Sequence, residues 1–186
     1  MAEEMVRISY KTQFFDSEGI VLLTSEVPTV EISAGERAKK KIEKYYTNLS
    51  DFYLSFATKS VFPKLKEKYA LSDDPRKRFT FRRYNLSLKI KPEFSNSKYI
   101  SFSRNVCFSV HGKPLFSQIY GETFDAKRGT VMSMSRFLSK KKLKRQQKTE
   151  NKANKTKICG FFLNAEGKPV AITKHNGRYT TVPVEY

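Results

Sequence analysis

The alternation of apolar and polar residues between Lys98 and Leu138 constrains this chain more than any other feature. Ile100, Phe102, Val106, Phe108 and Val110 share one parity, with Arg104 the exception. A period of two belongs to a half-buried strand, because successive side chains point to opposite faces. His111, Gly112, Lys113 and Pro114 interrupt the pattern: Gly tolerates positive φ, and Pro has no N–H to give to a ladder. Phe116, Tyr120 and Phe124 then fall on one face of the next strand. Asp125 to Gly129 reads as a turn that closes a hairpin, with Asp at its start and Gly near its end. The stretch is expected to form two or three adjacent antiparallel strands. It holds no evident catalytic constellation, which points to a binding or structural domain.

The flanking segments extend this sheet. Val6, Ile8, Tyr10, Thr12 and Phe14 alternate with polar residues, Asp16 to Gly19 is a turn, and Ile20 to Ile32 returns. Pro28 predicts that the returning strand lies at an edge or is interrupted. A helix follows from Ala34, with Ser33 and Glu36 at the spacing of a capping box. Ala38, Ile42, Tyr45, Tyr46, Leu49, Phe52, Tyr53 and Phe56 make an apolar stripe at helical spacing. Arg37, Lys39, Lys40, Lys41 and Lys44 occupy the other face. Tyrosines beside lysines also fit a stacking surface for nucleic acid; the continuous stripe with Ile, Leu and Phe favours a core-facing side.

Pro63 disfavours a helical Phe62 and is expected to kink or end the helix, and Leu65 and Tyr69 mark a further helical piece. Ser72 to Pro75 reads as a loop. A long strand is expected from Arg78 to Ile90, with a bulge where the apolar parity slips at Arg82 and Arg83, and a turn from Pro92 to Asn96. Near the C-terminus, Ile158 to Leu163 and Val170 to Ile172 form a hairpin around Asn164 to Gly167. Tyr179 to Val184 then closes the sheet. The fold class is α+β: an antiparallel sheet with one long N-terminal helix, kinked near Pro63, packed on one face. Residues 1–186 are read as a single domain, a length that buries roughly 70% of the unfolded surface.

Charge enters where function is at issue. Thirty-six Lys and Arg against 18 Asp and Glu give a net charge of +18. Such an excess attracts polyanions: nucleic acid, acidic headgroups or an anionic wall polymer. A Lys-rich soluble surface with no dedicated partner is the plainer explanation. The basic residues concentrate in 139–157, an exposed helix or loop too polar to bury a face. There Lys140, Lys141, Lys142, Lys144, Arg145 and Lys148 are the candidate polyanion-binding residues, in a segment that also reads as a solvated linker. The absence of aromatics between Phe137 and Phe161 argues against base stacking and leaves phosphate tracking open.

Catalytic, metal and cofactor chemistry find no signature. His111 and His175 sit in predicted turns, and no His, Cys, Asp or Glu cluster has metal-ligand spacing. Glu122 and Asp125 are three apart on a strand, so they face opposite ways, and Asp125 reads as a turn former. The expectation is no enzyme, no cofactor and no metal. Cys107 and Cys159 read as small core residues or, less simply, as one disulfide. No apolar run reaches the roughly twenty residues that span a bilayer. The first residues do not read as a signal peptide. The chain is expected to be cytoplasmic as it stands, or extracytoplasmic if a leader was removed.

The stretch from Ser95 to Leu138 resembles a known family. The order Ser-Asn-Ser-Lys-Tyr-Ile-Ser-Phe-Ser from 95 to 103, a strand, a Gly-containing turn, Thr123-Phe124-Asp125, Gly129 and Met132 to Leu138 carries the likeness. It is similar to the C-terminal domain shared by the lysozyme-sensing anti-sigma factor RsiV and the peptidoglycan deacetylase PdaC. The likeness is specific over about forty positions and holds elsewhere as an order of elements. It implies a noncatalytic binding domain of the bacterial cell envelope and an exported or membrane-anchored location. Lysozyme is itself basic, so a charge of +18 argues against it as partner and for an anionic cell-wall polymer or membrane surface. The alternative is an intracellular nucleic-acid-binding protein that uses residues 140–157.

Overall fold

A computed structural model describes residues 5–71, 81–137 and 157–184. Strands β1 (Val6–Ser17) and β2 (Ile20–Ile32) form the first hairpin, closed by Glu18 and Gly19, both at positive φ. Helix α1 (Glu36–Phe56) leads through a π turn (Ala57–Val61) into α2 (Phe62–Ala70). Strands β3 (Tyr84–Ser95), β4 (Tyr99–Val110) and β5 (Lys113–Asp125) follow, then a 3-10 turn (Met134–Arg136) and strands β6 (Lys157–Leu163), β7 (Pro169–His175) and β8 (Arg178–Pro183).

The fold is α+β, with a five-stranded sheet in the order β1-β2-β3-β4-β5 and a separate three-stranded sheet in the order β6-β7-β8. All described pairings are antiparallel except β2 with β3, which run parallel from Leu23↔Tyr84 to Glu26↔Ser87. Parallel neighbours require a long crossover, and here α1 and α2 supply it. That connection is what lays the helices on one face of the sheet. Ala38, Ile42 and Tyr46 bury there against Val30, Ile32, Ile90, Ile100, Phe102 and Phe124.

The second sheet covers the opposite face. The crossing is close because glycines meet: a Cβ on Gly121 would lie 2.5 Å from the Phe161 carbonyl carbon, and one on Gly160 would lie 2.8 Å from the Gly121 oxygen. Ser101 ties the layers, its Oγ accepting from Leu163 N at 2.8 Å and lying 2.8 Å from Thr123 Oγ1. The C-terminal strands therefore build a layer of their own and do not close the first sheet, as their sequence had led us to expect. β7 is buried along Pro169 to Thr173, between its neighbours and the large sheet.

Other expectations shift for local reasons. β3 starts at Tyr84, so the parity slip at Arg82 and Arg83 marks the strand entry and not a bulge. The register irregularity falls at Pro92/Phe94, inside a segment expected to be a turn. Pro92 is tolerated because it lies past the last β2 partner. On that open side of β3, Tyr10 Oη accepts from Ile90 N at 3.1 Å and donates to Ile90 O at 3.0 Å. β2 is an internal strand that runs unbroken through Pro28, so it is neither interrupted nor at the edge of the sheet; Pro28 is tolerated because it lies beyond Glu26, the last β2 residue paired with β3.

The predicted capping box is absent. Gly35 is the N-cap, with no side-chain cap bond, and Ile32 N instead donates to Glu43 Oε1 at 3.0 Å. Phe62 is helical despite Pro63. Proline lacks the N–H that would bond one turn back, and the wider π turn that precedes it takes up the mismatch. Cys107 and Cys159 are not joined in a disulfide, and both are half-buried.

Candidate functional site

Strand parity places Arg104 on the face that α1 covers, between Phe102 and Val106. A guanidinium there is tolerable only if it is paired and its partner satisfied. Arg104 pairs with Glu122 on β5, Nε to Oε1 2.7 Å, both side chains largely buried at 12% and 9% exposure. The contact is electrostatic, since the Nε–H makes no well-directed hydrogen bond. The helix supplies the donors that complete the carboxylate: Tyr45 Oη donates to Glu122 Oε1 at 2.6 Å and Tyr46 Oη to Oε2 at 3.0 Å. Arg104 also lies over the Tyr120 ring, 4.1 Å from its centroid. Burial, and then the negative charge of Glu122, pushes both the Tyr45 and Tyr46 hydroxyls well above the usual tyrosine range. The same burial raises Tyr53, and Arg104 opposes that rise. With the carboxylate completed by two tyrosines and the ion pair largely buried, this cluster binds the helix to the sheet.

Further along α1 the sheet and helix diverge. A groove of about 670 Å³ opens between the end of α1, the π turn, α2 and the ends of β3, β4 and β5. Phe52, Phe56, Val61, Phe108 and Phe116 are among its walls, with Lys64 and Lys68 on α2. Phe52 is 61% exposed, Phe56 43% and Phe116 49%. The stripe was expected to face the core throughout. Its N-terminal part does, while Phe52 and Phe56 face this opening, because the π turn and α2 leave them without a covering strand.

A smaller polar recess lies at the start of α1, between Arg7, Glu31, Lys39 and Glu43. Asp125 is a turn former: its Oδ1 accepts from Lys127 N at 2.9 Å and Arg128 N at 2.8 Å. Those bonds, that from Arg128 first, hold its carboxyl below the usual range. Glu122 points into the helix interface, so the two carboxylates do not converge. Among the described residues no group of His, Cys, Asp and Glu is placed to hold a metal ion, and none of the helices is long and apolar enough to cross a membrane.

Lys140, Lys141, Lys142, Lys144, Arg145 and Lys148 all lie outside the described residues. Sequence reasoning missed the Arg104–Glu122 cluster, although Arg104 interrupting an apolar parity was its signal. It missed the groove as well, whose only trace in the sequence is the pair Phe52 and Phe56 at the margin of the stripe.

No known protein family matches the sequence, and no curated protein matches it. Solved structures do match the fold. A DUF3298 family protein from Pseudomonas aeruginosa superposes with a TM-score of 0.59 at 8% identity, over 97% of this chain and 90% of that one. A DUF3298 member from Bacteroides fragilis gives 0.61 at 10% identity, again over 97% and 90%. At such identities the likeness is one of fold, and it does not reach the RsiV-type family named above. The chain thus has the fold of DUF3298 proteins, a family whose name marks a domain of unknown function.

Proposed function

We propose that this chain is a noncatalytic binding domain of the bacterial cell envelope that contacts an anionic polymer or surface through a basic face. The observation that carries the proposal is the charge: 36 cationic residues against 18 acidic ones, with ten cationic residues and one acidic residue in 136–157. The exposed side of α1 adds Arg37, Lys40, Lys41 and Lys44. Such a field raises the local concentration of a polyanion and binds it by counterion release, with steep salt dependence and no need for a shaped pocket. The resemblance between Ser95 and Leu138 supports the envelope as the location and an anionic wall polymer or membrane surface as the partner.

The test is co-sedimentation of the purified chain with cell-wall sacculi, with and without excess duplex DNA. It is repeated with Lys140, Lys141, Lys142, Lys144 and Arg145 all changed to Gln. Retention that survives DNA and falls in the variant is the expected result. Loss of retention, with tight DNA binding instead, replaces this reading with that of an intracellular nucleic-acid-binding protein.

A further inference from the structure

We propose that the groove beside α2 is a binding site for a single-chain anionic lipid, its acyl tail lying along Phe52, Phe56 and Phe116 and its headgroup at Lys64 and Lys68. The groove's volume of about 670 Å³ falls within the roughly 300–1,000 Å³ of small-molecule sites. Among the described residues its lining is dominated by aromatic and aliphatic side chains and includes two lysines and no carboxylate. The charge it presents is therefore positive and placed on one wall. Lys68 is already oriented there, its Nζ donating to Tyr84 Oη at 3.0 Å. Both lysines are exposed, so an anion gains two cationic contacts at small desolvation cost.

The occupant is narrowed by what the lining lacks. A peptide would bring an N–H and a C=O at every residue, each needing a partner once buried. Among the described residues, the polar side chains of the lining besides the lysines are those of Tyr53, Ser60, Tyr84 and Gln118. An acyl tail asks for no such partner. A second copy of the chain would bring a charge of +18 against +18, which opposes close approach. The wall itself is unusual, for the π turn Ala57–Val61 contributes Ser60 and Val61, and π turns inside helices recur at functional sites. The groove residues named here do not include 140–148, so the test does not depend on the polyanion reading.

Isothermal titration calorimetry of the whole chain tests it with three dodecyl amphiphiles, each kept below its micellar concentration. Dodecyl phosphate carries the anion, dodecyl maltoside has the same tail with a neutral head, and dodecylammonium carries a cation. Dodecyl phosphate is expected to bind one to one, and the other two at least about tenfold more weakly. Phe56→Asp is expected to remove binding of all three, and its thermal unfolding reports that the fold is kept. Lys64→Glu with Lys68→Glu is expected to erase the preference for phosphate and leave the maltoside affinity in place. The variant with Lys140, Lys141, Lys142, Lys144 and Arg145 changed to Gln is expected to bind dodecyl phosphate as before.

Four results overturn the proposal. One is equal binding of all three headgroups, and another is binding that Phe56→Asp does not touch. A third is a concentration-dependent dimer that Phe56→Asp dissolves, which assigns the groove to a second copy. The last is binding to phosphatidylglycerol vesicles with none to monomeric dodecyl phosphate, which assigns it to a bilayer surface.

Discussion

The two halves of α1 carry one continuous apolar stripe and meet opposite ends. In the first half Tyr46 is fully buried over Phe102 and Phe124, and its hydroxyl completes the Glu122 carboxylate. In the second half Phe52 is 61% exposed and Phe56 43%. Helical spacing fixes which side of the helix turns toward the sheet. It does not fix how far the sheet extends beneath that side. Where β4 and β5 lie under the helix, apolar packing closes over an ion pair. Where the π turn lifts the chain into α2, the same kind of side chain lines a groove. One half is therefore an interface that holds the fold, and the other is free to take a ligand.

The sharpest way to break this comparison is to unpair the buried half. Arg104→Leu leaves Glu122 inside the interface with its two tyrosine donors and no countercharge. Removing one member of a buried pair costs about 3–5 kcal/mol, and urea unfolding is expected to show a loss of that size. Changing both Arg104 and Glu122 to Leu, with Tyr45 and Tyr46 changed to Phe so that no hydroxyl is left without its acceptor, is expected to recover most of it, since apolar groups of similar volume replace the whole polar cluster. A single-variant loss no larger than about 0.5 kcal/mol, the range of surface changes, would show that the cluster does not hold the two layers together.

A smaller effect belongs to Tyr46. Tyr46→Phe removes one hydrogen bond to a carboxylate and is expected to cost about 1.5–3 kcal/mol at neutral pH. The same hydroxyl sets an alkaline limit. Its folded-state pKa is raised, by burial first and then by Glu122, while an unfolded tyrosine ionises near about 10. Below that pH both states hold the proton and the contribution is complete. As pH rises above it, the unfolded chain releases the proton and the folded one keeps it, so stability falls. Tyr45 is shifted in the same direction. Urea midpoints between about pH 8 and pH 11 are expected to decline less steeply in Tyr46→Phe than in the parent. Parallel declines would place the alkaline sensitivity elsewhere.

Much of this architecture is legible in the sequence because it rests on local periodicity. The strands from Val6, Ile20, Tyr99 and Lys113 follow their alternation, and Asp125 acts as the turn residue it resembles. What escapes is set by distant pairing. Nothing local tells Leu23 that it will run parallel to Tyr84, or that Gly121 and Gly160 will let a second sheet cross the first at backbone distance. Pro92 reads as a turn because local rules exclude proline from a ladder, yet the pairing of β3 with β2 has already ended at Ser87. The buried cluster fails for a related reason. Arg104 shows as a flaw in the parity, but its partner Glu122 comes from a different strand, and Tyr45 and Tyr46, which complete that carboxylate, come from a helix. The candidate basic residues raise a different matter, because charge governs association and carries no information about fold.

The smallest expected effect tests the open half. Phe52→Ser removes a large aromatic side chain from the stripe, and a stripe position is ordinarily a core position. If Phe52 were core, truncation would cost about 3–5 kcal/mol. At 61% exposure it shields little apolar surface, so the expected change is within about 0.5 kcal/mol of the parent. Leu65 is the internal control: it lies on the neighbouring helix, lines the same groove from beneath, and is buried against Leu22, Leu23 and Leu86. Leu65→Ala is expected to cost about 2–5 kcal/mol. Urea unfolding of the two variants side by side then measures how sharply the helical layer passes from structural to available surface. A loss for Phe52→Ser comparable to that for Leu65→Ala would mean that the groove is covered in solution, and the contrast between the two halves of α1 would go with it.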